Sequence, residues 1–494
     1  MLVTSSIPLV GAPLLPPQSL FTPRPIRPAP IWTRLGLSVL LLVGSTPISA
    51  RSQAPSPEPQ TRISLAQLLL RVEAGYPRIG AANARVSGAR AARRAAGVFP
   101  NPVIGFGLEN VTLPGHGAAL GTDREATATA TIPLEFLYQR GARVRRADAR
   151  LQSSEADGSI ERQRVAIDAV HQYYAAALAQ VELAAAEDLA AWVDSLVLYN
   201  RHRVSEGIGA EADLLRAELE RDRVGAEVTA SQANLARTQA DLGALYNDSA
   251  GSPATEPLHS VVAPDTPLSL PGATGSSRTP PAASQSSDGP DARAEVRAAR
   301  ARLTAAGANI GVARSMLVRD LSAMVGLKRS AGTTTLLTGL SIPVPIIDRN
   351  RGELAEARAD REVAAFELAA TERQVHAEIV GAAATARLLA GRVEALRGPA
   401  DSTAAKGLHR VRYLARADEI RTISLGAYRE GAVPLLQVLD AARSWSESRL
   451  TYYHTLYAQH ESVAALLAAE GRDLFMVMPA LAMLVPATST EVRP

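Results

Sequence analysis

The 494-residue chain contains no cysteine. Disulfides, thiolate metal ligands and a lipid-modified N-terminal cysteine are therefore excluded. Aromatic residues make up only 4% of the chain, so close packing of small side chains is expected in place of ring-filled cores. Also lacking is any run of about 18 uninterrupted apolar residues that could cross a bilayer as a helix. The nearest approach, Leu474 to Pro486, is short and broken by Pro479. Charge of one sign is lacking as well: the net charge of +3 is spread as interleaved Arg and Glu, the pattern of solvated helix faces and not of a nucleic-acid patch. There is no phosphate-binding glycine loop, nucleophile elbow or zinc-protease helix motif. The histidines, among them His454 and His460 six residues apart, never fall at one-turn helical spacing. Neither an enzyme, a cofactor nor a specific metal site is expected, and the histidines are expected at the surface.

What is present begins with an export signature. Arg34 precedes the apolar run Leu35 to Gly44, which small-residue cleavage candidates follow, so residues 1–54 read as leader and signal peptide. Beyond it the chain reads as a first repeat over 55–246, a Pro/Ser/Gly-rich linker over 247–290, a second repeat over 291–473 and a tail over 474–494. Each repeat runs helix, strand, strand, helix, helix, with strands within about 102–136 and about 319–347. The fold class is mainly α with a small β part.

Two landmarks recur in order. A small-Ile-Pro switch, Ile132-Pro133 and Ile342-Pro343, passes from strand-like sequence to Ala- and Arg-rich helix, with Gly141 and Gly352 shortly after. A Glu-Gly tip follows at Gly207 and again at Gly431. Proline cannot donate to a ladder and suits the end of a strand; the glycine after it is expected to ease the tight start of the helix.

The strands alternate. In "ATATATI", Ala126 to Ile132, alanine and threonine take opposite faces, and Leu336, Leu340 and Ile342 share a face opposite Leu337, Gly339 and Ser341. Such alternation suits a sheet with lipid on one side and water on the other; an ordinary soluble hairpin would also show it. Four strands cannot close a membrane barrel, which needs at least about eight, but three chains would supply about twelve. The helical stretches from Gly141 to Gly207 and Gly352 to Gly431 would each extend roughly 100 Å. Along the next helix Leu214, Ala217, Arg221, Val224, Val228, Ser231, Leu235, Thr238, Leu242 and Leu245 form a heptad seam. A soluble periplasmic coiled-coil scaffold would explain that seam but not the strand pairs.

Taken with their order and spacing, "FPNPVIGFGLENV" from Phe99, "GLSIPVPIIDRNRGELAEARA" from Gly339, "GIGAEADLLRAELE" from Gly207 and "YREGAVPLLQVLDAAR" from Tyr428 resemble the TolC-like outer-membrane efflux channel family, and the second segment its heavy-metal branch. The resemblance implies a homotrimer in the outer membrane, its strands in one shared barrel continued by a helical tunnel through the periplasm. It implies outer-membrane lipid, a periplasmic adaptor and an inner-membrane pump, of the RND type, as partners. A type I protein secretion duct is the alternative within the family. It places Pro133 and Pro343 where barrel gives way to tunnel, and Gly207 and Gly431 at adaptor-docking tips. Asp440 corresponds to a constricting aspartate ring whose second position is Gln437 here, and Asp213 and Tyr428 to gate residues. The family's basic gate partner stands as Val433 and its gate threonine as Ala212, which leaves the usual gate salt bridge and tyrosine hydrogen bond unaccounted for.

Overall fold

The computed structural model describes residues 62–109, 124–246, 261–268, 293–317, 321–344, 346, 348–398 and 411–484. The chain divides into Met1–Glu58 and Pro59–Pro494, and every described residue belongs to the second unit. The expected signal peptide, most of the 247–290 linker, Pro345 and the end of the tail lie outside the described residues.

The first repeat opens with α1 (Leu65–Gly75) and α2 (Pro77–Ala96). Ser64 starts α1 with a capping box: its hydroxyl accepts the Gln67 N–H at 3.3 Å and the Gln67 side chain accepts the Ser64 N–H at 3.0 Å. Pro77 separates the two helices, since proline is tolerated at the first helical position but not inside a helix. Strands β1 (Val103–Glu109) and β2 (Glu125–Pro133) follow, then α3 (Arg140–Ser205) and α4 (Glu211–Tyr246). The second repeat gives α5 (Ala294–Ser315), β3 (Ser322–Ser330), β4 (Thr333–Ser341), α6 (Arg351–Arg397), α7 (Arg412–Arg429) and α8 (Leu435–Ala469), with α9 (Leu474–Leu484) after it. Helix α3 alone, at 66 residues, is about 100 Å long at 1.5 Å per residue.

The sheet is antiparallel in the order β1-β2-β3-β4. Its register sorts side chains by face. Phe106, Ala128, Leu327 and Leu336 form one row across all four strands, whereas Gly107, Thr127, Lys328 and Thr335 form the next row on the opposite face. On the first face Ile104, Phe106, Leu108, Leu336 and Leu340 are all exposed, Phe106 by 83%. An apolar face left this open, beside a face of glycine, threonine and charge, is the arrangement of a sheet that meets lipid on one side and water on the other. Strands of seven and nine residues are close to the ~9–11 that a tilted membrane strand needs.

The larger core gathers α1, the middle of α3, the ends of α4, α6 and α8, and α9. Leu68, Leu69, Val72, Leu456 and Leu467 are fully buried there, each contributing about 1.5–3 kcal/mol by burial. α9 docks on α1 through Leu474, Phe475 and Met478, and Arg162 ties it to α3 by bonds of 2.6 Å to Glu73 and 3.1 Å to Asp473. No helix among the described residues is long and apolar enough to cross a membrane.

Residues 261–268 of the linker are also held in this core. Val261 bridges Ile63 in parallel, the Tyr173 hydroxyl donates to the Val262 carbonyl at 2.7 Å, and the Gln459 amide clamps Leu268 by accepting its N–H at 3.2 Å and donating to its carbonyl at 2.8 Å. His460 joins them with Nε2 2.9 Å from the Thr266 carbonyl. It is fully buried, correcting the expectation that the helical histidines lie at the surface; burial pushes its imidazole pKa down to about 4, so it is neutral and Nε2 carries the proton.

Candidate functional site

The two places where strand gives way to helix are built differently. At the first, β2 ends at Pro133 opposite Ser322, one last ladder bond joins the Leu134 N–H to the Leu321 carbonyl at 2.7 Å, and a 3-10 turn over Glu135–Leu137 leads into α3. The Arg140 guanidinium donates to the Gly97 carbonyl at 2.8 Å and lies over the Phe99 ring, fixing the start of α3 against the end of α2. At the second, β4 ends two residues before Pro343, and Asn350 takes the left-handed conformation at φ 52°. Its buried side chain donates to the Ala313 carbonyl at 2.7 Å, anchoring the start of α6 to α5. Gly141 and Gly352 sit inside the first turns of α3 and α6 without a positive φ. The tight start expected of these glycines is made instead by the 3-10 turn and by Asn350, whose short amide tolerates that backbone.

At the far end of the helices both tips are the same motif. Gly207 and Gly431 adopt φ 73° and 77°. The Ile208 N–H reaches back to the Arg203 carbonyl at 3.0 Å and the Gly207 N–H to Val204 at 3.0 Å; Ala432 and Gly431 repeat this on Ala427 and Tyr428 at 2.8 and 2.9 Å. These are paired Schellman terminations, and glycine is favoured by the left-handed backbone angle. No atom lies within 4 Å of where a Cβ would stand on either glycine, so both tips face open space.

Between the tips and the larger core lies a second, smaller core. Val193 and Val197 of α3, Ala217 and Val224 of α4, Tyr428 of α7 and Val438 of α8 pack together there, with Val433 partly buried against them. Tyr428 donates to the buried Asn200 Oδ1 at 2.6 Å, and Asn200 in turn donates to the Leu196 carbonyl at 2.8 Å. Arg203 lies over the rings of both Tyr199 and Tyr428. Burial, aided by the charge of Asp213, holds the Tyr428 hydroxyl above its ordinary pKa against the opposing pull of Asn200 and Arg203. Tyr428 and Asp213 are thus brought near each other, but the hydrogen bond of Tyr428 goes to Asn200. Asp213 pairs at 3.7 Å with Arg216 on its own helix.

Gln437 and Asp440 are exposed one turn apart on α8. The Asp440 carboxylate is 64% exposed, with Arg443 Nη1 3.9 Å away. Arg443 also reaches across to α4, where its Nε donates to Glu220 Oε1 at 3.0 Å and its Nη2 to Oε2. Arg223 bonds the same carboxylate at 2.7 Å. Glu220 is buried, its side chain only 7% exposed. Burial alone would raise its pKa, but the two arginines outweigh it and hold Glu220 below the usual carboxylate range. The heptad seam placed Arg221 inside; the structure instead gives that burial to Glu220, while Arg221 pairs with Asp222. An i, i+3 Glu-Arg pair beside a seam position was the only sequence signal of this cluster. Among the described residues no group of three or more His, Asp or Glu could hold a metal ion.

Residues 291–472 match the family model described as outer membrane efflux protein. The chain is 27% identical over 355 residues to the nickel-cobalt-cadmium resistance protein NccC of Alcaligenes xylosoxydans xylosoxydans, covering 71% of this chain and 73% of that one. It is 22% identical over 377 residues to the cobalt-zinc-cadmium resistance protein CzcC of Cupriavidus metallidurans, covering 76% and 82%. Its fold is similar to the crystal structure of the Campylobacter jejuni CmeC outer membrane channel, with a TM-score of 0.68 at 14% identity over 88% of this chain and 94% of that one.

Proposed function

We propose that the chain, whose residues 291–472 match the outer membrane efflux protein model, is a channel of that family and the passive exit duct of a three-part efflux system, with heavy-metal cations as its cargo. The observation that carries this reading is the sheet. One face is openly apolar and the other small and polar, its β1 and β4 edges have no partner strand among the described residues, and its strands lead directly into a helix of about 100 Å. Open edges are not tolerated in lipid. Three copies joined edge to edge give a closed barrel in the outer membrane, and their helices continue it into the periplasm.

Channels of this family act with an adaptor and an inner-membrane pump, and energy enters at the pump. The cation cargo is supported by the relatives, named for resistance to nickel, cobalt, cadmium and zinc; an RND pump is the partner type proposed. Gly207 and Gly431 are proposed as the adaptor contacts, since both tips are exposed and bare of side chain. In a strain lacking its own duct, producing this chain with its pump and adaptor is expected to lower cell-associated cadmium or cobalt. Asparagine tolerates the left-handed backbone, so Gly207→Asn or Gly431→Asn adds bulk at the tip without undoing the turn, and is expected to abolish export while the trimer persists. Equal metal content with and without the chain would contradict the cargo. Full export through both variants would remove the tips from docking.

A further inference from the structure

Helix α3 has one side that is fastened to other elements and one that is not. Arg162 bonds Glu73 and Asp473, and Tyr173 bonds the Val262 carbonyl, so α1, the lead into α9 and the linker all attach on the same side. His171 lies nine residues after Arg162, and Glu182 nine after Tyr173. Nine residues are two and a half turns at 3.6 per turn, which puts both on the opposite side. Under the duct reading the attached elements lie outside the tunnel wall, and the opposite side of α3 lines it. Across the junction with α8 each of the two meets a partner of the other chemistry. His171 Nδ1 is 3.0 Å from Glu461 Oε1, and His454 Nε2 is 3.5 Å from Glu182 Oε1.

The α8 members belong to a longer series. Asp440, Glu447, His454 and Glu461 recur every seven residues and none is buried, so they form one stripe along the helix. The stripe therefore runs from the proposed constriction through both histidine–glutamate pairs, which on α3 are about 16 Å apart along the axis.

Exposed pairs of this kind add little to stability, but their atoms are well set for a metal. A divalent ion bound at about 2.0–2.2 Å by an imidazole nitrogen and a carboxylate oxygen holds those two atoms about 2.9–3.5 Å apart, from right-angled to tetrahedral geometry. Both pairs fall in that range. Asn234 on α4 donates to the other Glu182 oxygen at 3.1 Å, the kind of outer hydrogen bond that orients a ligating carboxylate. The side chains of His171 and His454 are 69% and 53% exposed, which leaves room for water to complete the coordination. Two protein ligands make a weak site, and weak, repeated binding is what a conducted ion requires.

We propose that His171 with Glu461, and His454 with Glu182, are transit sites for divalent transition-metal cations inside the duct. The proposal rests on the duct reading and adds to it where the cargo touches the protein. Imidazole suits zinc, nickel and similar ions, whereas magnesium and calcium prefer oxygen alone; the pairs hold the first kind and let the second pass.

The test is Co2+ uptake by the untagged full-length protein in detergent, measured by equilibrium dialysis and by the visible spectrum of the bound ion, with Mg2+ as the comparison. His202 forms a similar pair with Glu206 on its own helix, so every protein compared carries His202→Gln. The starting protein is expected to bind Co2+ about tenfold more tightly than Mg2+. His171→Gln and His454→Gln are each expected to remove about half of the Co2+ uptake, and the two together nearly all of it, because the pairs are far enough apart to act independently. Adding Glu182→Gln to His454→Gln is expected to remove nothing further, since both belong to one site. In a protein that conducts in planar bilayers, three results would overturn the sites alone: Mg2+ bound as tightly as Co2+, uptake that survives both histidine changes, or a further loss from Glu182→Gln. A protein that forms no pore would overturn the duct reading and the transit role with it, whatever it binds.

Discussion

Replacing Gly326 with alanine is expected to abolish the assembled barrel. A Cβ at this position in β3 would stand 2.5 Å from the Ala128 carbonyl oxygen, 2.8 Å from the Thr129 Cγ2 and 3.0 Å from the Thr129 Cα. Two of those three atoms are backbone of the neighbouring strand, so relief comes only by parting β2 from β3. That ladder joins the strand pair of the first repeat to that of the second. Forcing volume into a packed site costs about 1–3 kcal/mol where side chains can adjust, and more where backbone must move. Gly339 is the matched control: its Cβ would meet the flexible Met324 Cε at 3.3 Å and the Met324 Cβ at an ordinary 3.9 Å, and Gly339→Ala is expected to assemble. Heat-modified mobility of the trimer in outer-membrane fractions reads both. A Gly326→Ala protein that reaches the membrane as stably as the parent would show that the β2–β3 ladder tolerates what its geometry forbids.

Asp440→Asn is expected to have the largest effect on what passes. The carboxylate is exposed, lies one turn from the exposed Gln437, and has its nearest base occupied by Glu220. Proposed at the tunnel axis, three copies place three negative charges at a narrow point, and selectivity at such a point follows the sign of the local charge. Because Gln437 adds no second acidic ring, the Asn variant should lose most of the cation preference in reversal-potential measurements and most of the block by multivalent cations. Unchanged selectivity and block would make Asp440 an ordinary solvated helix-face residue.

The parts of this architecture that were legible in the sequence are those set by backbone chemistry. A proline cannot donate to a ladder and suits the end of a strand, and glycine after a charged helix end implies a left-handed turn, so Pro133, Gly207 and Gly431 announced themselves. The alternation of Ala126 to Ile132 needed only the two-residue period of a strand. What stayed hidden depends on which neighbour arrives. Glu220 lies beside the heptad seam, and only the approach of Arg443, 223 residues along the chain, makes its burial tolerable. His460 was expected at the surface with the other histidines; a segment of the Pro-rich linker supplies the Thr266 carbonyl that lets it be buried, and the Leu268 amide and carbonyl that its neighbour Gln459 clamps. Gly141 and Gly352 drew attention as the glycines nearest the switches, whereas the backbone demand falls on Asn350.

The central claim is that the chain completes its barrel only with copies of itself, and the molar mass of the detergent-solubilised protein, corrected for bound detergent, tests it most directly. Three chain masses with intact helical and strand content is the expected result, because the edges of β1 and β4, which have no partner strand among the described residues, close only when another copy supplies each partner. A stable species of one chain mass with the same secondary structure would contradict it.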